Sequence, residues 1–226
     1  MTHGSNWIKL KQLLQQDIFL KSIESVQQTN QKNNLHAIWL VGATSKSLYS
    51  RYGLRYTIQT NGYSKLIELL TDAPCTIGLH SINNESIVAQ AQRLMSFTNT
   101  SVHYHRSHFL KQSQTLEKEL SQAKIKVDFS YGHARQTELL NTPQQGPINY
   151  IPTILFDNAF FFNKPEEVIS GFATTLKRAQ LQNRDVAICF HPENFVVMPA
   201  LHEYYEEVIR LAKNEGATFA RPIHTL

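Results

Sequence analysis

The residues of this 226-residue chain whose types could do chemistry are few, and most sit just past short apolar segments. His80 follows one such segment, and His103, His105, Arg106 and His108 crowd a second. Asp128, Ser130 and Tyr131 close a third, Asp157 and Asn158 a fourth, and His191, Glu193 and Asn194 a fifth. Imidazoles can hold a divalent ion that polarises a carbonyl and activates water. A further histidine can protonate a leaving group, and an arginine beside a carboxylate fixes that carboxylate's charge and direction. Metal-assisted or acid–base hydrolysis is the chemistry that fits this set. Taken singly, each histidine also reads as a hydrogen-bonded structural residue, and Asp157 as a turn or helix cap. His103 simply alternates with His105 along a strand, and His36, His133, His202 and His224 lie away from strand ends and read as structural. Phe160 to Phe162 reads as core or pocket wall, and an aromatic platform for a sugar ring is the second choice.

The apolar segments predict strands over 37–41, 75–79, 101–105, 125–129, 150–156, 185–190 and 217–220. Helical periodicity marks 7–26, 63–70, 84–97, 112–123, 166–179 and 200–213, and the Gln- and Pro-containing stretch 135–149 reads as a long surface loop. Strands and helices in alternation imply an α/β fold with a parallel sheet. No Gly-x-Gly-x-x-Gly turn argues for an open doubly wound sheet, so the expectation is a distorted (β/α) barrel of about seven parallel strands. In such a barrel the chemistry sits at the C-terminal strand ends, which is where the polar residues cluster. The length suits a single domain, 1–226.

A 42% hydrophobic and 18% charged composition is ordinary for a globular protein, and no apolar run is long enough to span a bilayer. The net charge of +4 comes from dispersed Lys and Arg, so no nucleic-acid partner is expected. The first residues lack the basic and apolar regions of a secretory signal, and the two cysteines, Cys75 and Cys189, fall within predicted strands as core. The expected compartment is the cytoplasm.

Four segments, Gly78-Leu-His80, His105-Arg-Ser-His-Phe-Leu110, Asp128-Phe-Ser-Tyr-Gly132 and Cys189-Phe-His-Pro192, together resemble the polysaccharide deacetylase family (carbohydrate esterase family 4). The resemblance is to members from bacterial surface-polysaccharide (O-antigen) gene clusters, and it extends over nearly the whole chain. It implies a distorted barrel that uses a divalent metal, usually zinc, to remove acetyl groups from N-acetylated sugars. The implied partner is an acetylated sugar or oligosaccharide. His80 matches the first metal histidine, Arg106 the arginine that orients the catalytic base, Asp128 the acid that holds that arginine, and His191 the histidine that protonates the departing amine. The second metal histidine is replaced by Asn84, and His108 supplies the second imidazole instead. Tyr131 and Asp157 are assigned to substrate. At the start of the chain, Gly4 and Asn6 stand where the family has its base aspartate and its metal aspartate, and most of the first strand is absent by this resemblance. Asn6 still offers a weak carbonyl ligand, but Gly4 cannot accept a proton. Two functions follow: a hydrolase with Glu193 or Asp128 as the base, or a non-catalytic descendant that binds a glycan or a partner protein.

Overall fold

A computed structural model describes residues 16–44, 63–71, 75–82, 85–111 and 113–219. They fall into two compact units.

One unit comprises residues 36–131 and 141–152 as far as they are described. Its sheet has five parallel strands in sequence order: β1 (Ala37–Val41), β2 (Cys75–Ser81), β3 (Tyr104–Ser107), β4 (Val127–Asp128) and β5 (Asn149–Tyr150). Helices α2 (Tyr63–Thr71), α3 (Ile87–Thr98) and α4 (Leu116–Gln122) alternate with them. The β1 sequence Ala-Ile-Trp-Leu-Val is apolar throughout, with β-branched Ile38 and Val41, and it is half-buried up to the buried Val41. Gly78 lies where β1, β2 and β3 approach closely: a Cβ there would come 2.8 Å from Leu40 Cδ2 and 2.9 Å from Tyr104 Cβ. Helix α3 buries Ile87, Ala91 and Leu94 at helical spacing, and with them Gln90, which is 0% exposed. The Gln90 amide is satisfied by the backbone just beyond β2, accepting from Ile82 N–H and donating to Ile82 C=O, both at 2.9 Å.

The other unit comprises residues 16–35, 132–140 and 153–219. It carries a two-stranded parallel sheet, β6 (Thr153–Phe156) with β7 (Ala187–Cys189), and a bridge from Gly132 to Thr153. Around it stand α1 (Gln16–Lys32), the short α5 (Ala159–Phe162), α6 (Pro165–Leu181), α7 (Pro192–Val197) and α8 (Leu201–Asn214). Pro165 opens α6 with Glu166 and Glu167 in its first turn, a start that suits both the fixed φ of proline and the helix dipole. Its inward face is Val168, Phe172, Leu176 and Ala179, and that of α8 is Leu201, Tyr205, Val208, Ile209 and Ala212. The buried Tyr205 hydroxyl donates to Asn30 of α1 at 2.6 Å, and Ser22 donates to Pro192 C=O at 2.6 Å.

The α/β fold with parallel strands is as expected, with differences in detail. The expected strand 150–156 is split, with Ile151 and Pro152 outside both strands, and proline has no N–H to give a ladder. Residues 217–219 form no strand. The third strand runs Tyr104–Ser107 rather than 101–105, so Arg106 lies within it too and faces the side opposite His105. Phe160 is 4% exposed and core, whereas Phe162 is exposed at 59% and carries the Arg135 guanidinium 4.2 Å over its ring. Among the described residues no helix is long and apolar enough to cross a membrane.

Candidate functional site

Parallel register sets which side chains share a face. His80 is the Cα partner of Arg106, and His105 is the partner of both Leu79 and Asp128. His80 and Arg106 therefore stand side by side on one face of the five-stranded sheet, and His105 and Asp128 on the other. Beyond β3 the chain turns through a 3₁₀ segment, His108–Leu110, in which Phe109 and Leu110 adopt φ of 57° and 54°. His108 opens this segment directly after β3, two residues beyond Arg106, and Nδ1 of His108 lies 3.0 Å from Nε2 of His80, with the rings edge to face. Two nitrogens that bind one zinc ion tetrahedrally, at about 2.0–2.1 Å each, are about 3.4 Å apart. At 3.0 Å the two nitrogens share a hydrogen bond, and a separation of a few tenths of an ångström would let His80 and His108 take two positions of a metal site. No group of three His, Cys, Asp or Glu suited to a metal occurs among the described residues. Asn6, named as a ligand, lies outside the described residues, as do Gly4 and Asn84.

On the opposite face a chain of hydrogen bonds crosses three strands. Asp128 Oδ1 accepts from His105 Nδ1 at 2.6 Å and from Ser130 Oγ at 2.7 Å, and Oδ2 accepts from Ser130 N–H at 3.2 Å. His105 Nε2 is 2.7 Å from Ser81 Oγ, and Ser130 Oγ in turn accepts from Ser107 N–H at 2.8 Å. His105 and Asp128 are both 0% exposed. Asp128 is therefore held by His105, not by Arg106 as the resemblance implied. Arg106, 6% exposed, belongs to the His80 face. Tyr131, half-buried, meets Tyr150 edge to face. Burial first, then the carboxylates of Asp128 and Glu117, raises the Tyr131 phenol, while burial and then Glu117 push Tyr150 up to about 12. Both therefore keep their protons at neutral pH.

In the other unit β6 and β7 end on Asp157 and His191. The Asp157 carboxylate is 0% exposed and accepts three bonds: from His191 Nδ1 at 2.6 Å, His191 N–H at 2.6 Å and Asn194 Nδ2 at 3.0 Å. A carboxylate so enclosed cannot reach a ligand, so Asp157 holds His191 where a contact with substrate was expected. The His191 side chain is 26% exposed. Asp157 holds Nδ1, which fixes the tautomer and the direction of the ring and turns Nε2 away from the carboxylate. Glu193 follows in the first turn of α7, half-buried.

Sequence reasoning named His105 among the strand-end residues but gave it no role, missed the role of Gln90 and misassigned that of Asp157. Two-residue alternation about Arg106 was the signal available for His105. The bond from Asp157 spans 34 positions, and nothing local announces it.

No family profile matches the chain, and no curated protein matches its sequence. Solved structures do. A CE4 family pseudoenzyme from Bacillus anthracis matches with a TM-score of 0.51 at 12% identity over 88% of this chain. A mutant of that pseudoenzyme with restored enzymatic activity matches with 0.52 at 12% identity. This chain spans 58% of the length of the first and 60% of the second. A polysaccharide deacetylase from Bacillus cereus matches with 0.50 at 10% identity, over 91% of this chain and 88% of its own. The chain has the fold of the CE4 polysaccharide deacetylases.

Proposed function

We propose that the protein is a metal-assisted hydrolase that removes acetyl groups from N-acetylated sugars in surface-polysaccharide synthesis, on the distorted barrel of that family. The observation that carries this reading is the imidazole pair His80–His108, 3.0 Å apart at the C-terminal end of a parallel sheet. A divalent ion held there would polarise the acetyl carbonyl and make bound water acidic. Arg106 would face the same ligand as His80. His191, its ring fixed by Asp157, would hand a proton from Nε2 to the departing amine. Asp128 cannot serve as the base, because it is fully buried and its oxygens are taken by His105 and Ser130. The base falls to Glu193. Tyr131, kept protonated, would donate to a sugar oxygen.

A second reading, a non-catalytic glycan-binding descendant, is favoured by Gly4 and Asn6, which by the resemblance replace the base and the metal aspartate. Metal analysis of the purified protein with acetate release from N-acetylated oligosaccharides separates the two. Release that stops in Glu193→Gln and His191→Ala supports the hydrolase. No release from the natural chain, with release gained in Gly4→Asp/Asn6→Asp, supports the descendant.

A further inference from the structure

The buried network on the far side of the sheet has the order of groups of a nucleophilic triad: serine, histidine, aspartate. The carboxylate can only accept, so Nδ1 of His105 donates to it and Nε2 accepts the Ser81 hydroxyl proton. Exposure decides against a nucleophile. Ser81 is 5% exposed and His105 0%, so an acyl carbon has no approach to Oγ.

What the network touches along the chain is more telling. Ser81 directly follows His80, and Ser107 directly precedes His108. Ser81 is gripped by His105 through its side chain, and Ser107 by Ser130 through its backbone N–H. Asp128 joins the two grips through His105 and Ser130. Beyond Ser81, Gln90 fixes both backbone groups of Ile82. Each imidazole of the pair thus leaves the backbone beside an anchored residue, and the anchors belong to one closed frame.

We propose that Ser81–His105–Asp128–Ser130 is a positioning frame that sets the approach of His80 to His108; this rests on the pair being the site of the proposed function. Such outer-shell partners typically contribute about 10–100-fold to metal affinity. The test compares Ser81→Ala and Ser130→Ala with Ser81→Thr, which keeps the hydroxyl, and with Thr98→Val, which removes the Thr98–Leu94 bond in α3. Two readouts are taken: the proton NOE between the His80 and His108 rings in metal-free protein, and Co²⁺ affinity. The expected result is loss of the NOE and about 10–100-fold weaker Co²⁺ binding in both alanine variants, with both readouts retained in Ser81→Thr and Thr98→Val. Persistence of the NOE in both alanine variants, its absence from the natural protein, or its equal loss in Thr98→Val overturns the frame. So does labelling of Ser81 by a fluorophosphonate. If the natural protein binds no Co²⁺, the metal site of the proposed function fails, and the NOE alone still decides the frame.

Discussion

Each unit of the molecule contains a histidine bonded through Nδ1 to an aspartate at 2.6 Å, yet the two pairs are built for different work. In the five-stranded unit both partners are 0% exposed, and the far nitrogen of His105 is consumed by Ser81. In the other unit the aspartate is equally buried, but the histidine side chain is 26% exposed. The aspartate does the same thing in both, fixing tautomer and ring direction. The exposure of the ring makes the difference. A closed pair can only hold strands; an open pair can move a proton. Bond length and residue type alone would have labelled the two alike.

The largest effect should come from opening the closed pair. Asp128→Ala strands the His105 and Ser130 donors where water cannot reach them, and breaking a buried pair in this way costs about 3–5 kcal/mol. Asp157→Ala should cost less, about 1–3 kcal/mol, because the His191 ring can turn toward solvent. Urea denaturation of the two variants measures both. Equal losses, or the reverse order, would break the comparison.

His191→Ala sharpens it from the functional side. The His191 ring reaches solvent, so the stability measured in urea should change by less than about 1 kcal/mol. Acetate release, if the hydrolase reading holds, should fall by about 10²- to 10⁴-fold, the usual contribution of a general acid. A variant that unfolds easily but keeps its rate would make His191 another structural histidine.

Gly78→Ala probes the face of the sheet that carries His80 and Arg106. The new methyl would sit 2.8 Å from Leu40 Cδ2 and 2.9 Å from the Tyr104 carbonyl, and backbone on one side leaves little freedom to yield. Overpacking of this kind costs about 1–3 kcal/mol. Thermal denaturation checks it, and an unchanged Tm would mean that the face is looser than the geometry implies.

The same contrasts explain what could be read from the sequence. Apolar runs gave β1 and β2, because the residues that pack a sheet against its helices are hydrophobic at Ala37–Val41 and around Ile77 and Leu79. Helical periodicity gave α3, α6 and α8 to within a few residues. Strand ends were harder, since β3 is set by pairing with its neighbours, and that pairing brought Arg106 into the strand beside His80 and His105 beside Asp128. His80 and His108 meet because β2 and β3 pair in register, and the chain then leaves β3 through two successive non-glycine residues at positive φ, which no propensity would select. Asp157 and Asp128 were legible as polar strand ends, but not their exposure, which separates a substrate ligand from a buried orienting group.

The smallest effect concerns a histidine with no aspartate bonded to it. His202 of α8 packs against the Phe195 ring, 4.7 Å between centroids. Burial lowers its pKa, opposed in part by the Glu206 carboxylate, so the folded protein favours the neutral ring. A group whose folded pKa is depressed supports folding above its unfolded value, about 6.5, and that support is lost as pH falls through the folded value. Stability should therefore decline on acidification below about pH 6.5, and His202→Gln, which cannot take up the proton, should remove that part of the decline. Tm measured against pH for the two proteins shows it as a shallower acid limb in the variant. An identical limb would mean that the opposing Glu206 charge cancels the burial. His202 would then resemble the two paired histidines, with a carboxylate setting its behaviour.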